Sequence, residues 1–395
     1  MPDRHVASEQ PRLRSAQSCL QTLRDRADPL TISQLATATG LSRPTVGTVL
    51  RELADNSPVV HDDRAGASGA GRPARRFRFD PAAGSVAGID AGPNTLRLTL
   101  TDLAGSVLTR TLAPLDPELS NRARMSVLRR LVNQAIADTR AGSLRAIGVG
   151  VAGILNHEQR IAHSIALPQW AGYRVVERVS TALGCTAVAE NDIKLAALAE
   201  HRLRQEGQTP APPHMLYLQI GHRISVASIV DGHLLQGSHR IAGELGTLRG
   251  MRWTESSHRG QLRWRSARTA EAVLARAATG DHEAAQEIAD FCAEIAPRIG
   301  TIVLTLDPDL IVVGGGLAQA GATFLDPLTT ALHHVLTFDA HPPVVRSLLQ
   351  THAVESGALG VAFDQLSEHI CGVPGLAPPW HHWHPRTATD QQEKP

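Results

Sequence analysis

From residue 81 to residue 372 short apolar strands alternate with amphipathic helices, and that alternation restricts the chain to an α/β body. Val86 to Asp90 reads as a strand that ends on a carboxylate, followed by a turn over 91–94 and an alternating strand from Thr95 to Thr101. Ala146 to Gly153 is a second, glycine-rich strand, and Ala187 to Glu190 is a third that runs into Asn191-Asp192 and a helix to about Arg204. A linker over 207–213 precedes a set of comparable order, with strands at Met215 to Ile220, Ile224 to Val230 and Leu310 to Val313 around long helices. The expectation is two lobes with a cleft between them, lobe 1 over 81–206 and lobe 2 over 207–372, the last helix of lobe 2 packing back on lobe 1. Segment 373–395 is Pro-rich and polar and reads as a flexible tail, in which His381, His382 and His384 fit a solvated cluster better than a metal site.

Residues 1–80 follow a different pattern. Ala16, Cys19, Leu20 and Leu23 recur at helical spacing until Asp28-Pro29, and Thr31 offers a cap to a second helix with Ile32, Leu35 and Ala36 on one face. That helix stops at Gly40. Ser42 caps a third, with Pro44 in its first turn, a buried stripe of Val46, Val49, Leu50 and Leu53, and Arg43, Thr45, Gly47 and Thr48 facing out. Two short helices joined around a glycine, the second with a small polar face, form a helix-turn-helix. Val59 to His61 and Arg76 to Phe79 read as strands around a Gly-rich basic loop over 64–73, which completes a wing. Such a module puts Ser42, Arg43, Thr45, Thr48 and Arg51 in a DNA major groove, and Arg72, Arg75 and Arg76 at phosphates or in the minor groove. A plain helical cap on the larger body is the alternative, and the convergence of turn glycine, capped helix and Arg-rich wing weighs against it.

Charge agrees in sign. Residues 1–80 hold 12 Arg against 9 acidic residues, a net of +3, within a chain of formal net charge +1. Arg64, Arg72, Arg75, Arg76 and Arg78 lie in a stretch without any acid. With 42% hydrophobic and 19% charged residues the chain is a globular one. No apolar run approaches the roughly 18 residues of a membrane span, so a cytoplasmic protein without membrane attachment is expected. The four cysteines are far apart and form no CxxC pair, which argues against a Cys-rich metal site. Only Lys194 and Lys394 among 39 basic residues are lysine, a skew that fits genome composition.

Five stretches, in this order and spacing, make the chain resemble the ROK family (repressors, open reading frames and sugar kinases): GRPARRFRFDPAAGSVAGIDAG at 71–92, GVGVAG at 148–153, AENDIKLAALAE at 189–200, AGELG at 242–246 and IVVGGGLAQAG at 311–321. The resemblance implies a two-lobed, actin-like ATPase (ribonuclease H-like) body behind the winged helix-turn-helix. It looks like the regulator branch of the family, whose members bind operators and commonly respond to sugars. It also implies that Asp192 stands at the position of the kinases' catalytic base, with Asn191 and Glu244 at sugar contacts; Asp192 is equally suited to capping the helix that follows it.

The catalytic parts of that family are altered here. The first phosphate loop, DxGGT in the kinases, is Asp90-Ala91-Gly92-Pro93-Asn94, and Pro93 has no N–H to offer a phosphate. The second, a glycine-rich GTGIGGG, is Gly221-His222-Arg223-Ile224-Ser225-Val226-Ala227, while Gly314-Gly315-Gly316 at the adenosine-side turn remains. The histidine of the family's ExGH is Thr247, and the three cysteines of its zinc motif align with Thr254, Ser256 and Gln261, neutral groups that cannot replace thiolates. The motif's final glutamate, a sugar contact, aligns with Arg263, which would either pair with Glu244 or Asp192 or present a fork to an anionic ligand such as a sugar acid or sugar phosphate. These departures predict a homodimeric or larger DNA-binding regulator bound to a double-stranded operator, with a sugar or acidic sugar as effector, no kinase activity, no structural zinc and no cofactor. A sugar kinase that kept a DNA-binding module, and a regulator whose body only dimerises, are the rival readings.

Overall fold

The computed structural model describes residues 4–63, 75–206, 211–249, 252–255, 257, 261–339 and 341–383. Helix α1 (Arg4–Arg24) leads through β1 (Leu30–Thr31) into α2 (Ile32–Thr39), where Thr31 and Gln34 form a reciprocal capping box. Gly40, at φ 70°, ends α2 in the left-handed region that glycine takes without a Cβ penalty. The Ser42 hydroxyl accepts from Thr45 N at 3.3 Å and starts α3 (Arg43–Asn56), whose Val46, Val49, Leu50 and Leu53 share one core with Cys19, Leu20 and Leu23 of α1. Strands β2 (Val60–Asp63) and β3 (Arg76–Phe79) pair antiparallel; Phe77 and Phe79 point into that core and Arg76 and Arg78 away from it. β1 completes the sheet on the other edge of β3, in the order β1-β3-β2. Two residues carry no periodicity, so this third strand was invisible in the sequence. The expected wing loop, with Arg64 and Arg72, lies outside the described residues.

Lobe 1 contains β4 (Ser85–Ala91), β5 (Thr95–Asp102), β6 (Val107–Pro114), α4 (Asn121–Thr139), β7 (Leu144–Val151), the hairpin β8 (Ile154–Leu155) and β9 (Ile161–His163), α5 (Val175–Leu183), β10 (Thr186–Asn191) and α6 (Asp192–Glu206). Its sheet runs β10-β7-β4-β5-β6, parallel across β10, β7 and β4 and antiparallel across β4, β5 and β6. Lobe 2 repeats the plan with β11 (Met215–Ile220), β12 (Ile224–Val230), β13 (His233–Leu234), α7 (Ala270–Ala278), α8 (His282–Leu306), β14 (Leu310–Gly314), α9 (Ala322–Val335) and β15 (Val344–Arg346). Its order is β13-β12-β11-β14-β15, with β11, β14 and β15 parallel.

Helix α10 (Ala353–Gln365) returns to lobe 1 and is buried from Ala353 to Phe363. Glycines make its approach possible: a methyl on Gly148 of β7 would lie 2.6 Å from the Ala358 carbonyl carbon, and one on Gly88 of β4 would lie 2.7 Å from Leu359 Cγ. On its other side Gly357 meets the backbone of Leu195, so α6 and α10 cross almost backbone to backbone. The glycine-rich β7 is thus explained by helix packing alone.

After α11 (Ser367–Cys371) the chain departs from the expected tail. Val373, Leu376, Trp380 and Trp383 are buried, and Trp383 Nε1 donates to the Gly105 carbonyl at 2.9 Å. The Trp380 ring lies over Gly360, and the Trp383 ring sits 5.7 Å from Phe363. This segment and the end of α11 hold the winged helix: Gln17 Nε2 donates to Pro374 O at 2.8 Å, and Ser57 Oγ to Cys371 O at 2.6 Å. Sparse aromatic anchors among prolines give no periodic pattern, so the sequence reads as a tail. His381 and His382 belong to this packed segment, whereas His384 lies outside the described residues.

Candidate functional sites: the recognition helix and the interlobe cleft

One face of α3 is polar and exposed, presenting Ser42, Arg43, Thr45, Thr48 and Arg51. Ser42 Oγ and Thr45 Oγ1 are 2.8 Å apart, and the Arg51 guanidinium lies along its own helix, donating to Gly47 O at 3.0 Å. On the wing sheet Arg76 and Arg78 are exposed. Arg75 is engaged within the fold: its Nε donates to Asp62 Oδ2 at 2.9 Å and its guanidinium lies 5.3 Å from the Phe77 ring centre. Arg78, one strand period beyond Arg76, is the outward cation that the site reading passed over.

In the cleft the end of β10 and the first turn of α6 supply Glu190, Asn191, Asp192 and Lys194, and the loop after β13 supplies Gln236, Arg240 and Glu244. Asn191, rather than Asp192, caps α6: its Oδ1 accepts from Lys194 N at 3.1 Å, while its Nδ2 donates to Gly153 O at 3.1 Å and to Glu244 Oε1 at 3.3 Å. Asp192 Oδ1 accepts from Ile193 N at 2.8 Å. Arg240 of lobe 2 forms an ion pair with Glu190 of lobe 1, and Lys194 Nζ donates to Arg240 O at 2.6 Å. Sequence reading missed Glu190, Lys194 and Arg240; one of only two lysines among 39 basic residues was the available signal.

Arg263 does not join this group. It is exposed and forms no ion pair with Glu244 or Asp192, and its neighbour Leu262 donates from N to His222 O at 2.9 Å. Leu262 therefore lies beside the 221–223 loop, and of the two alternatives for Arg263 the internal pairing with Glu244 or Asp192 is not formed. The carbonyls of Gly92 and Pro93 are held from beneath by the buried Arg124 guanidinium, at 3.1 and 2.7 Å. Of the aligned zinc positions, Thr254 and Gln261 are described and present a hydroxyl and an amide, a donor set unsuited to Zn²⁺.

Burial pushes the Asp192 carboxyl up to about 6. Glu244 is pushed up to about 7 by burial and then by Asp192, with Lys194 pulling the other way. Asp90 is raised well above the carboxylate range by burial, then by Glu355 and Asp192. A carboxyl whose pKa is higher folded than unfolded binds more protons in the native state. Its contribution to stability is therefore full below the unfolded value and is lost as pH rises through the folded one. Asp192→Asn or Glu244→Gln should flatten the fall in melting temperature between about pH 5 and 7.5; a profile parallel to that of the wild type would contradict this electrostatic assignment.

A two-lobed α/β body in which each lobe repeats one mixed-sheet plan, with a winged helix seated on the first, defines an actin-like architecture with an N-terminal helix-turn-helix. The chain belongs to the ROK family: the model of that family, described as "ROK family", matches residues 86–261 and 250–364. It is 25% identical over 221 residues to the xylose repressor of Bacillus subtilis (strain 168), which covers 55% of this chain and 56% of the repressor. It thus spans little more than half of that relative. It is also 27% identical over 259 residues to the N-acetyl-D-glucosamine kinase of Mannheimia succiniciproducens, 58% of this chain and 83% of the kinase. Among solved structures it resembles a ROK family transcriptional regulator, a homolog of the E. coli MLC protein, at TM-score 0.65 and 18% identity over 88% of this chain and 94% of the other. The ROK family glucokinase from Streptomyces griseus, in complex with glucose and AMPPNP, follows at TM-score 0.60 and 18% identity over 71% and 99%. Regulators and sugar kinases both stand among the relatives. No helix among the described residues is long and apolar enough to cross a membrane.

Proposed function

We propose that this chain is a sequence-specific DNA-binding repressor that acts as a dimer and responds to a sugar in its interlobe cleft, without phosphorylating it. The observation that carries the reading is the exposed polar face of α3, presented by a capped helix-turn-helix on a ROK body. One short helix reads too few bases for high specificity, so two half-sites about one or two helical turns apart are expected. The similarity to the xylose repressor supports a sugar-responsive regulator, and the named acceptors Asn191, Asp192 and Glu244 suit ligand hydroxyls. Arg263 is exposed and forms no ion pair with those acids, so they are not neutralised by it, and an uncharged sugar suits them better than an acidic one. Against phosphoryl transfer stand Pro93 in the first phosphate loop and side chains in place of glycine over 222–227.

The test is selection of genomic fragments by the purified protein at physiological salt, followed by footprinting. Arg43→Ala should cost about 1–3 kcal/mol at one base position. No preference for any fragment over random DNA would sink the regulator reading. ATP turnover with a hexose, abolished by Asp192→Asn, would establish the kinase instead, which Asp90, Asp192 and Gly314 to Gly316 favour.

A further inference from the structure

The cleft contains a polar network that crosses from lobe to lobe, and Asn191 N closes it on Glu190 Oε1 at 2.8 Å. Arg240 pairs with Glu190, Lys194 Nζ holds the Arg240 carbonyl, Lys194 N donates to Asn191 Oδ1, and Asn191 Nδ2 reaches Glu244. Gln236 Nε2 adds a bond to Glu190 Oε2 at 3.3 Å. These groups are secluded: Lys194 is 2% exposed, and the side chains of Arg240 and Glu190 are 13% and 9% exposed. A buried ion pair gains little net stability over apolar packing, so its value lies in fixing one arrangement.

The backbone points the same way. Arg240 sits at φ 61°, in the left-handed region where a residue with a Cβ is strained, and four residues later comes Glu244. Between them Glu244 N bonds to Ile241 O at 3.1 Å and Leu245 N to Gly243 O at 2.8 Å. Gly243, at φ 83°, presses against the Val226 backbone of β12. Fixing Arg240 therefore fixes where Glu244 stands.

We infer that Arg240 and Lys194 form an interlobe clasp that holds Glu244 opposite Asp192, making them the positioning residues of an effector site that selects uncharged sugars over sugar phosphates. The inference rests on the sugar-cleft reading for its ligand, and on geometry alone for the clasp. Arg240 is matched by Glu190 and Lys194 is surrounded by Glu190 and Glu244, so both cations already face carboxylates. A phosphate entering beside Glu244 and Asp192 would meet two acids, whereas sugar hydroxyls would donate to them.

The experiment uses the full chain with D-glucose, D-xylose, N-acetyl-D-glucosamine and glucose 6-phosphate as probes, and the variants Arg240→Gly and Lys194→Met. Glycine takes φ 61° without strain, so Arg240→Gly removes the guanidinium without burdening the backbone. Amide hydrogen exchange over 241–248 should rise by about tenfold or more in both variants while α10 stays as protected as in the wild type. The wild type should bind at least one neutral sugar and prefer it to the phosphate by about tenfold or more, and each variant should lose about tenfold in affinity for that sugar.

The pH profile separates positioning from mere packing. Glu244 is faced by Glu190, Asp192, Lys194 and the Asn191 amide, and Asp192 in turn by Asp90. Removing the Lys194 ammonium leaves the acids alone together, so Glu244 ionises at higher pH and the midpoint for sugar binding should move upward in Lys194→Met. Unchanged exchange over 241–248 in both variants, or sugar binding by Arg240→Gly equal to that of the wild type, would overturn the clasp. Tighter binding of glucose 6-phosphate than of every neutral sugar would overturn the selectivity. A wild type that binds none of the probes would refute the sugar reading, and the exchange data would still decide the clasp.

Discussion

Deleting residues 373–395 is expected to lower the melting temperature by about 10 °C or more and to loosen the winged helix from the body. The deletion removes Trp380 and Trp383, 7% and 1% exposed, together with Val373 and Leu376. Loss of a buried tryptophan costs about 3–5 kcal/mol, so the pair alone accounts for a loss on the order of 6–10 kcal/mol. Gln17 would lose both of its acceptors, Pro374 O and Gly375 O. A chain stopped after Trp383 keeps all of these contacts and serves as the control. Thermal denaturation with limited proteolysis at the boundary near residue 80 reads both effects. Equal melting temperatures for the chains ending at 372 and 383 would show that the packed segment adds nothing.

Gly148→Ala should be among the most damaging single methyls at the described glycines. The new Cβ would run into the Ala358 carbonyl, backbone of a helix buried on every side, so neither partner has a side chain that can swing away. Overpacking of this kind costs about 3 kcal/mol or more, enough to remove a large part of a typical stability of 5–15 kcal/mol. Gly47→Ala is the contrast: its nearest neighbour is the tip of Ile32 at 3.6 Å, in ordinary contact, and the helix should gain about 0.5–1 kcal/mol. Chemical denaturation of both variants checks the pair, and a Gly148→Ala protein as stable as the wild type would mean that α10 can be lifted from β7 at little cost.

These two expectations mark the boundary between local and global information. Where a residue's role depends on neighbours one helical turn or one strand period away, reading the chain was enough. Thr31, Gly40 and Ser42 begin and end their helices as expected, and Val46, Val49, Leu50 and Leu53 are buried as their spacing requires. The alternation of elements after residue 81 led to the two lobes because a strand with two apolar faces must be covered by the helices that follow it. The composition of the phosphate loops was likewise local, since a missing N–H at Pro93 needs no coordinates.

The cleft needed the fold. Asn191 and Asp192 are adjacent, and both are good caps; only the geometry of the first turn of α6 gives the cap to Asn191 and leaves the Asp192 carboxylate for the cleft. Arg263 aligned with a sugar contact, yet its neighbour Leu262 is tied to the 221–223 loop by a backbone hydrogen bond to His222 O, a choice that no side-chain pattern announces. Glu190 and Arg240 are 50 residues apart and meet only because two lobes close on one another. The sequence determined the main helices and strands, their order and the altered composition of the phosphate loops, because helix caps and hydrophobic periods act within a few residues. The tertiary structure alone decided which charges face one another and that residues 373–383 are core, because burial depends on what long-range packing brings alongside.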